Sequence, residues 1–256
     1  MKTCLIIDDS RVIRIAIRRA VEQLGFQVSE AEDGKVGLDK CLQSMPDVII
    51  VDWNMPVMDG LAATRAIRLR EAGTGKAIPI IALTANAMHG DRERCLQAGM
   101  DDYLSKPISS EALSNVLARI AVCAHPTHIC PAAQDAAQEQ AFSAAEALRL
   151  TAGDPELLAE LAAIFLADMP QRLLDLETAI AANDAGATFR SAHTIKGIAA
   201  SMAAHPLARI AQGIEKAGRE NDLALAHTQM HALTRAIDAV SGELRSLLLT
   251  SQQLSA

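Results

Sequence analysis

The sequence predicts an α/β domain with a parallel sheet, followed by an all-α helical bundle. Short apolar runs alternate with amphipathic stretches over residues 1–121, a pattern typical of a parallel sheet covered by helices on both faces. Beyond Phe142 the strand signals stop, and apolar residues recur at helical spacing. At 256 residues the chain is long enough for two ordinary domains.

Five strands are predicted in the first part. They are the apolar runs at residues 3–7, 26–31, 48–51, 78–83 and 102–104. The amphipathic stretches between them end at helix-stop signals such as Gly25 and Gly99. Functional side chains of parallel sheets gather at the carboxyl ends of the strands, so polar residues at these ends are candidates for a site.

The second part contains the start signals of five helices, which should form an up-down bundle. These signals are Asp154-Pro155, Pro170, Asn183-Asp184, His205-Pro206 and Asn221-Asp222. The first helix is expected to end near Asp168, because Pro170 is taken to begin the next one. That second helix is expected to reach about Ala182, and the last about Leu249.

Residues 122–141 are predicted to be a linker, because proline, alanine and glutamine dominate there. The predicted domains are therefore 1–121 and 142–250. Four potential zinc ligands also fall in the linker, namely Cys123, His125, His128 and Cys130. Their spacing matches no common zinc finger, so a metal site in the linker is the weaker interpretation.

Charge and composition exclude several classes of protein. Residues 1–122 carry 15 basic and 16 acidic side chains, and the remainder carries 9 and 15, so neither half has the basic excess of a nucleic-acid binder. The five cysteines are odd in number and scattered, as expected of reduced thiols. We expect a cytoplasmic protein without a signal peptide or membrane insertion, since no run of about 18 apolar residues occurs.

Four predicted strand ends carry polar residues that suit a phosphorylated carboxylate. Asp8 and Asp9 follow the first strand, Asp52 the third, Thr84 the fourth and Lys106 the fifth. Asp52 ends a fully apolar central strand and is the predicted nucleophile. Three carboxylates so close together would repel one another, and Mg²⁺ bound to their oxygens would relieve this. Lys106 and the Thr84 hydroxyl would then bind phosphate oxygens.

Residues 1–121 resemble the receiver domain of a two-component response regulator along their whole length. The matching motifs are LIIDDS, VDWNMPVMDG, IALTANA and DDYLSKP. The resemblance implies a flavodoxin-like, doubly wound fold with Asp52 as the phosphoacceptor. It implies Mg²⁺ binding by Asp8, Asp9, Asp52 and the backbone carbonyl of Asn54. It also implies that Thr84, Tyr103 and Lys106 respond to the phosphate as switch residues.

A second site is predicted at His193, on the third helix of the bundle and off its apolar stripe. Arg190, Lys196 and Gly197 lie on the same side of this helix. A neutral imidazole is a nucleophile, and the flanking cations would offset phosphate charge. Glycine within a helix costs roughly 1 kcal/mol relative to alanine, so Gly197 indicates close approach of a partner.

Residues 142–250 resemble a histidine-containing phosphotransfer (HPt) domain. The resemblance rests on a lead-in that begins FSAAEALRL and on the core AHTIKG. It implies that His193 carries a phosphoryl group.

Together these features indicate a phosphorelay protein. A sensor histidine kinase would phosphorylate Asp52, and His193 would exchange the group with Asp52 or with another receiver. The alternative is a receiver-gated binding module in which His193 exchanges nothing in cis. A phosphohydrolase with an aspartyl nucleophile is a third interpretation, but its DxDx(T/V) motif would lie on the first strand. No ATP-binding kinase motif occurs in these residues, so we expect a phosphotransfer intermediate that does not phosphorylate itself from ATP.

Overall fold

The structure, a computed structural model, describes residues 2–72, 77–84, 89–122 and 141–254. Its first part contains a five-stranded parallel sheet with the strand order β2-β1-β3-β4-β5. The strands are β1 (Thr3–Ile7), β2 (Gln27–Ala31), β3 (Val48–Asp52), β4 (Ile80–Thr84) and β5 (Asp102–Ser105). The predicted strands are confirmed to within two residues at each end, and the order is that of the predicted flavodoxin-like fold.

Helices cover both faces of this sheet. They are α1 (Arg11–Gln23), α2 (Gly34–Gln43), α3 (Gly60–Glu71), α4 (His89–Ala98) and α5 (Ser110–Val122). Alternate residues of each strand point to opposite faces, so Ile50 joins one apolar cluster with α1 and α5 while Ile49 joins the other with α2 and α3. Strands β3 and β4 are buried along their whole length, which explains their continuous apolar runs.

The second part consists of helices alone in the region described, and the predicted bundle is confirmed. The helices are α6 (Ala144–Leu150), α7 (Pro155–Ala181), α8 (Ala185–Ser201), α9 (His205–Arg219) and α10 (Leu223–Leu254). Asp154 and Asp184 cap α7 and α8 as expected. The short α6 was not predicted.

The predicted break at Pro170 is wrong, because α7 runs unbroken from Pro155 to Ala181. Proline lacks the N–H that would bond to Leu166, a loss that typically costs about 3 kcal/mol inside a helix. Burial of the same helix face before and after the proline offsets this cost, since Phe165, Met169 and Leu176 are all fully buried. Tertiary packing therefore outweighs the local preference of proline.

Helix α1 is apolar on two faces and joins the two parts of the molecule. Ile13 and Ile17 pack against the sheet, whereas Val12 and Ile15 belong to the apolar cluster of the helical bundle. Through this second face α1 contacts α7 and α8. At the rim, Arg19 and Glu160 form an exposed ion pair of 3.4 Å.

Some predictions concern residues outside the described part of the chain. The possible zinc ligands and residues 123–140 of the predicted linker 122–141 lie outside the described residues, and the exact domain boundaries stay predictions. The described cysteines, Cys4, Cys41 and Cys95, are all buried. Among the described helices, none combines the length and the apolar character that crossing a bilayer requires.

Candidate functional site

Three carboxylates meet at the carboxyl edge of the sheet. Strands β1 and β3 are neighbours, so the residues that end them, Asp8, Asp9 and Asp52, converge. One oxygen of each lies within 4.8 Å of the others, and all three residues are buried. A cluster of hard oxygen donors with excess negative charge fits a Mg²⁺ ion.

Lys106 lies between two of these carboxylates. Its Nζ atom is 2.9 Å from Asp8 Oδ2 and 2.9 Å from Asp52 Oδ1. Burial alone would lower the pKa of Lys106, but Asp52 and Asp8 raise it above its ordinary value, so the ammonium group stays charged. The backbone N–H of Lys106 donates to the carbonyl of Thr84 (2.7 Å), and the peptide bond to Pro107 is cis.

Burial and crowding raise the pKa of two of these acids, Asp52 and Asp9. The pKa of Asp52 is raised to about 6, chiefly by burial and also by the neighbouring Asp8, against the lowering effects of Lys106 and His193. Burial and the neighbouring Asp8 likewise raise the pKa of Asp9, against the opposing effect of Arg172. In the absence of a metal ion, Asp9 and Asp52 therefore keep their protons to a higher pH than ordinary aspartates do.

This shift predicts a pH dependence of stability. The folded chain holds the Asp52 proton up to about pH 6, whereas the unfolded chain releases it near the ordinary value of 3.8. Stability should therefore fall as pH rises between these values, by up to about 3 kcal/mol from this group in metal-free protein. We expect the stability difference between wild type and Asp52→Asn, measured by urea unfolding in EDTA, to change by this amount between pH 4 and 7. A constant difference would contradict the shift.

Three further predicted residues lie around the cluster. Thr84 ends β4 and is buried, in register with Ser105 on β5. Tyr103 is half-buried on β5 and packs against the apolar cluster beneath α3. The side-chain nitrogen Nδ2 of Asn54 is buried and has no hydrogen-bond partner among the described residues. The switch roles of Thr84 and Tyr103, and metal binding by the Asn54 carbonyl, stay predictions.

Helix α8 lies across this acidic edge, and His193 faces it. The residue is only 8% exposed, and its Nε2 atom is buried without a hydrogen-bond partner among the described residues. His193 lies close enough to Asp52 that a positive charge on the imidazole lowers the pKa of that carboxyl group. One side of α8 packs into the bundle and the other against the α/β domain, so residues 192–199 are all buried. The histidine thus lies off the apolar stripe, as predicted, yet is shielded from solvent.

The other ring nitrogen of His193 contacts a residue that sequence reasoning missed. Nδ1 lies 2.7 Å from Glu215 Oε1 on α9, and Lys196 pairs with the second oxygen of this carboxylate. Burial raises the pKa of Glu215, but its bonds to His193 and Lys196 outweigh burial and leave it below its ordinary value. The charged Glu215 therefore accepts a hydrogen bond from the Nδ1–H group, and the neutral imidazole carries its lone pair on Nε2.

The sequence pattern of α9 could have identified Glu215 as a candidate site residue. The buried face of α9 includes Leu207, Ala211, Ile214 and Gly218, which recur at helical spacing. Glu215 occupies a position on this same face, and a carboxylate among apolar residues needs a partner to compensate its burial.

The flanking residues predicted around His193 differ in their surroundings. A Cβ atom built on Gly197 would lie 3.4 Å from Ile13 Cδ1 and 3.7 Å from Lys106 Cδ, so this position permits the close approach of the α/β domain. Arg190 is exposed and lines a groove of about 860 Å³, together with Phe189 and the loop after β3.

Two residues of the bundle bind Asp9 directly. The Thr194 hydroxyl donates to Asp9 Oδ2 at 2.9 Å. Arg172 donates to the backbone carbonyl of Asp9 at 2.8 Å and to its Oδ2 atom at 3.3 Å. The sequence offered no sign of these contacts, because they depend on how the two domains lie against each other.

Comparison with known proteins identifies both parts of the chain. The response regulator receiver domain model matches residues 4–118, and the Hpt domain model matches residues 160–243. The sensor histidine kinase GacS of Pseudomonas protegens is 32% identical over 248 residues, which cover 94% of this chain and 27% of GacS. RcsC, a sensor histidine kinase of Salmonella typhi, is 37% identical over 114 residues, 44% of this chain and 12% of RcsC. The chain thus spans about a quarter of the length of GacS.

A similar solved structure is the receiver domain of sensor histidine kinase PA1611 from Pseudomonas aeruginosa PAO1, which has a magnesium ion coordinated in its active site cleft. It is 42% identical, with a TM-score of 0.42, and the match covers 45% of this chain and 93% of that domain. From the two family matches and the site they contain, we conclude that the chain belongs to the two-component phosphorelay proteins and joins a response regulator receiver domain to an Hpt domain.

Proposed function

We propose that this protein passes a phosphoryl group between Asp52 and His193 of the same chain, after Asp52 has received it from a sensor histidine kinase. One observation carries the proposal. The Nε2 atom of His193, which has no hydrogen-bond partner among the described residues, is buried against the acidic cluster of the chain's own receiver domain. The proposed setting is the cytoplasm, where such a kinase would present its phosphohistidine.

In the first step Asp52 is the nucleophile. A carboxylate oxygen attacks the phosphorus of the donor, and the bond from phosphorus to the donor nitrogen breaks as the nitrogen takes its electron pair. Lys106 pairs with a phosphate oxygen, and the Thr84 hydroxyl donates to another. Asp8, Asp9 and Asp52, with the Asn54 carbonyl, would hold Mg²⁺, which neutralises charge on the transferring group when bound.

In the second step His193 is the nucleophile. Its Nε2 lone pair forms the bond to phosphorus while the bond from phosphorus to the Asp52 oxygen breaks, and the electron pair returns to the carboxylate. Positive charge then develops on the imidazole. Glu215 stabilises this charge through the Nδ1 proton, and Lys196 holds Glu215 in place.

Acetyl phosphate with Mg²⁺ tests this relay on wild type, Asp52→Asn and His193→Gln. Acyl phosphate is labile in alkali and phosphohistidine in acid, so the two sites are separable in one sample. We expect both kinds of label on wild type, alkali-labile label alone on His193→Gln, and neither on Asp52→Asn.

Label confined to Asp52 in wild type would overturn the exchange in cis. That result would favour the alternative, in which phosphorylation of the receiver controls access of a partner. Label on His193 in Asp52→Asn would show that the histidine reacts without the receiver, and the proposed order of transfer would be wrong.

A further inference from the structure

We propose that Arg172 and Thr194 are the residues by which the Hpt domain recognises its own receiver, and that this contact controls the choice between transfer in cis and transfer to another molecule. The inference rests on the proposed exchange between Asp52 and His193. It concerns α7 and α8 residues that lie outside the reacting groups.

The contact is specific because it includes hydrogen bonds to both the backbone carbonyl and the side-chain carboxylate of Asp9. The planar guanidinium of Arg172 bonds to the carbonyl and to the carboxylate, while the Thr194 hydroxyl shares the same carboxylate oxygen. Asp9 is 8% exposed in its side chain, and Arg172 is 26% exposed. Charged hydrogen bonds at this degree of burial contribute to affinity and register, unlike an exposed pair such as Arg19–Glu160.

The same contact shuts out other molecules. Asp52 is 1% exposed and His193 is 8% exposed in the docked arrangement. An external kinase must reach Asp52, and an external receiver must reach His193, through surfaces that the two domains now cover. The domains must therefore separate for exchange with another molecule and dock for exchange in cis. A variant that weakens docking should therefore slow transfer in cis and speed transfer to another molecule.

The cis experiment compares the full chain with Arg172→Glu, Arg172→Lys, Thr194→Val and the control Arg235→Glu, which alters an exposed arginine on α10. Acyl phosphate on Asp52 is formed with acetyl phosphate, and its passage to His193 is followed in a single turnover. We expect Arg172→Glu to slow this step about tenfold or more, because the variant replaces a partly buried, hydrogen-bonded charge pair with two like charges. Arg172→Lys and Thr194→Val should have smaller effects, and Arg235→Glu none.

The trans experiment uses two chains that differ in length by a tag. The donor chain carries His193→Gln and offers only Asp52, while the acceptor carries Asp52→Asn and offers only His193. Adding Arg172→Glu to the donor alone should speed transfer several-fold, since its own Hpt domain no longer covers Asp52. Small-angle X-ray scattering of the same donor should show a larger radius of gyration.

Unchanged rates and an unchanged radius in Arg172→Glu would overturn the recognition role. A fall in both cis and trans transfer would also overturn it, because damage to the site, and not undocking, would then explain the loss. If the proposed exchange between Asp52 and His193 does not occur at all, the result is different, because wild type itself would then carry no phosphohistidine.

Discussion

Replacing Lys106 with methionine is expected to lower the free energy of unfolding of the metal-free protein by about 3–5 kcal/mol, the usual cost of removing one partner from a buried charge pair. The Nζ atom of Lys106 lies 2.9 Å from a carboxylate oxygen of Asp8 and 2.9 Å from one of Asp52. Methionine preserves most of the side-chain volume but leaves the carboxylates to repel one another. Urea unfolding in EDTA, followed through Trp53, measures the loss.

Mg²⁺ provides a second test of the same variant. A divalent cation among the carboxylates would replace part of the missing charge, so we expect Mg²⁺ to stabilise Lys106→Met more than it stabilises wild type. The matched control is Lys35→Met, which alters an exposed lysine on α2 and should cost less than about 1 kcal/mol. A loss in Lys106→Met no greater than in this control would contradict the proposed electrostatic role.

Replacing Glu215 with alanine is expected to slow phosphorylation of His193 by roughly a hundredfold, within the range typical of a positioned acid or base. Without the carboxylate, nothing holds the ring proton on Nδ1, and the imidazole distributes between both tautomers and orientations. The positive charge that develops during transfer also loses its partner. Nitrogen NMR of the imidazole reports the tautomer directly, and acid-labile label reports the rate.

Two companion variants separate positioning from general damage. Glu215→Gln retains an acceptor for the Nδ1 proton but lacks charge, so it should keep the tautomer and recover only part of the rate. Lys196→Met removes the cation that pairs with Glu215 and should have a smaller effect than Glu215→Ala. If Glu215→Ala retains the wild-type tautomer and rate, the positioning role is wrong.

The receiver site was predictable because each of its groups depends on local sequence. Asp8, Asp52, Thr84 and Lys106 each follow an apolar strand, and parallel strands bring their carboxyl ends to one edge. The alternation of strand and helix predicted a parallel sheet, whereas the order of its strands followed from the resemblance to receiver domains. Pro170 is the opposite case. Proline locally disfavours the interior of a helix, but tertiary packing keeps α7 unbroken through this residue.

The contacts between the domains were not predictable in the same way. Arg172 and Asp9 are 163 residues apart, and nothing near either one reports the other. A signal did exist in α1, where Val12 and Ile15 place apolar side chains opposite the face formed by Ile13 and Ile17. A helix that is apolar on two sides needs two neighbours, and the sheet supplies only one.

Because α1 packs against both the sheet and the bundle, the stability of each domain depends on the other domain. Val12 and Ile15 belong to the same apolar cluster as the interior of the bundle, although they follow β1 in the chain. Melting of the receiver would expose the bundle surface that these side chains cover, and melting of the bundle would return them to water. In the docked form each domain therefore lends stability to its neighbour, and a destabilising mutation in one lowers the melting temperature of both.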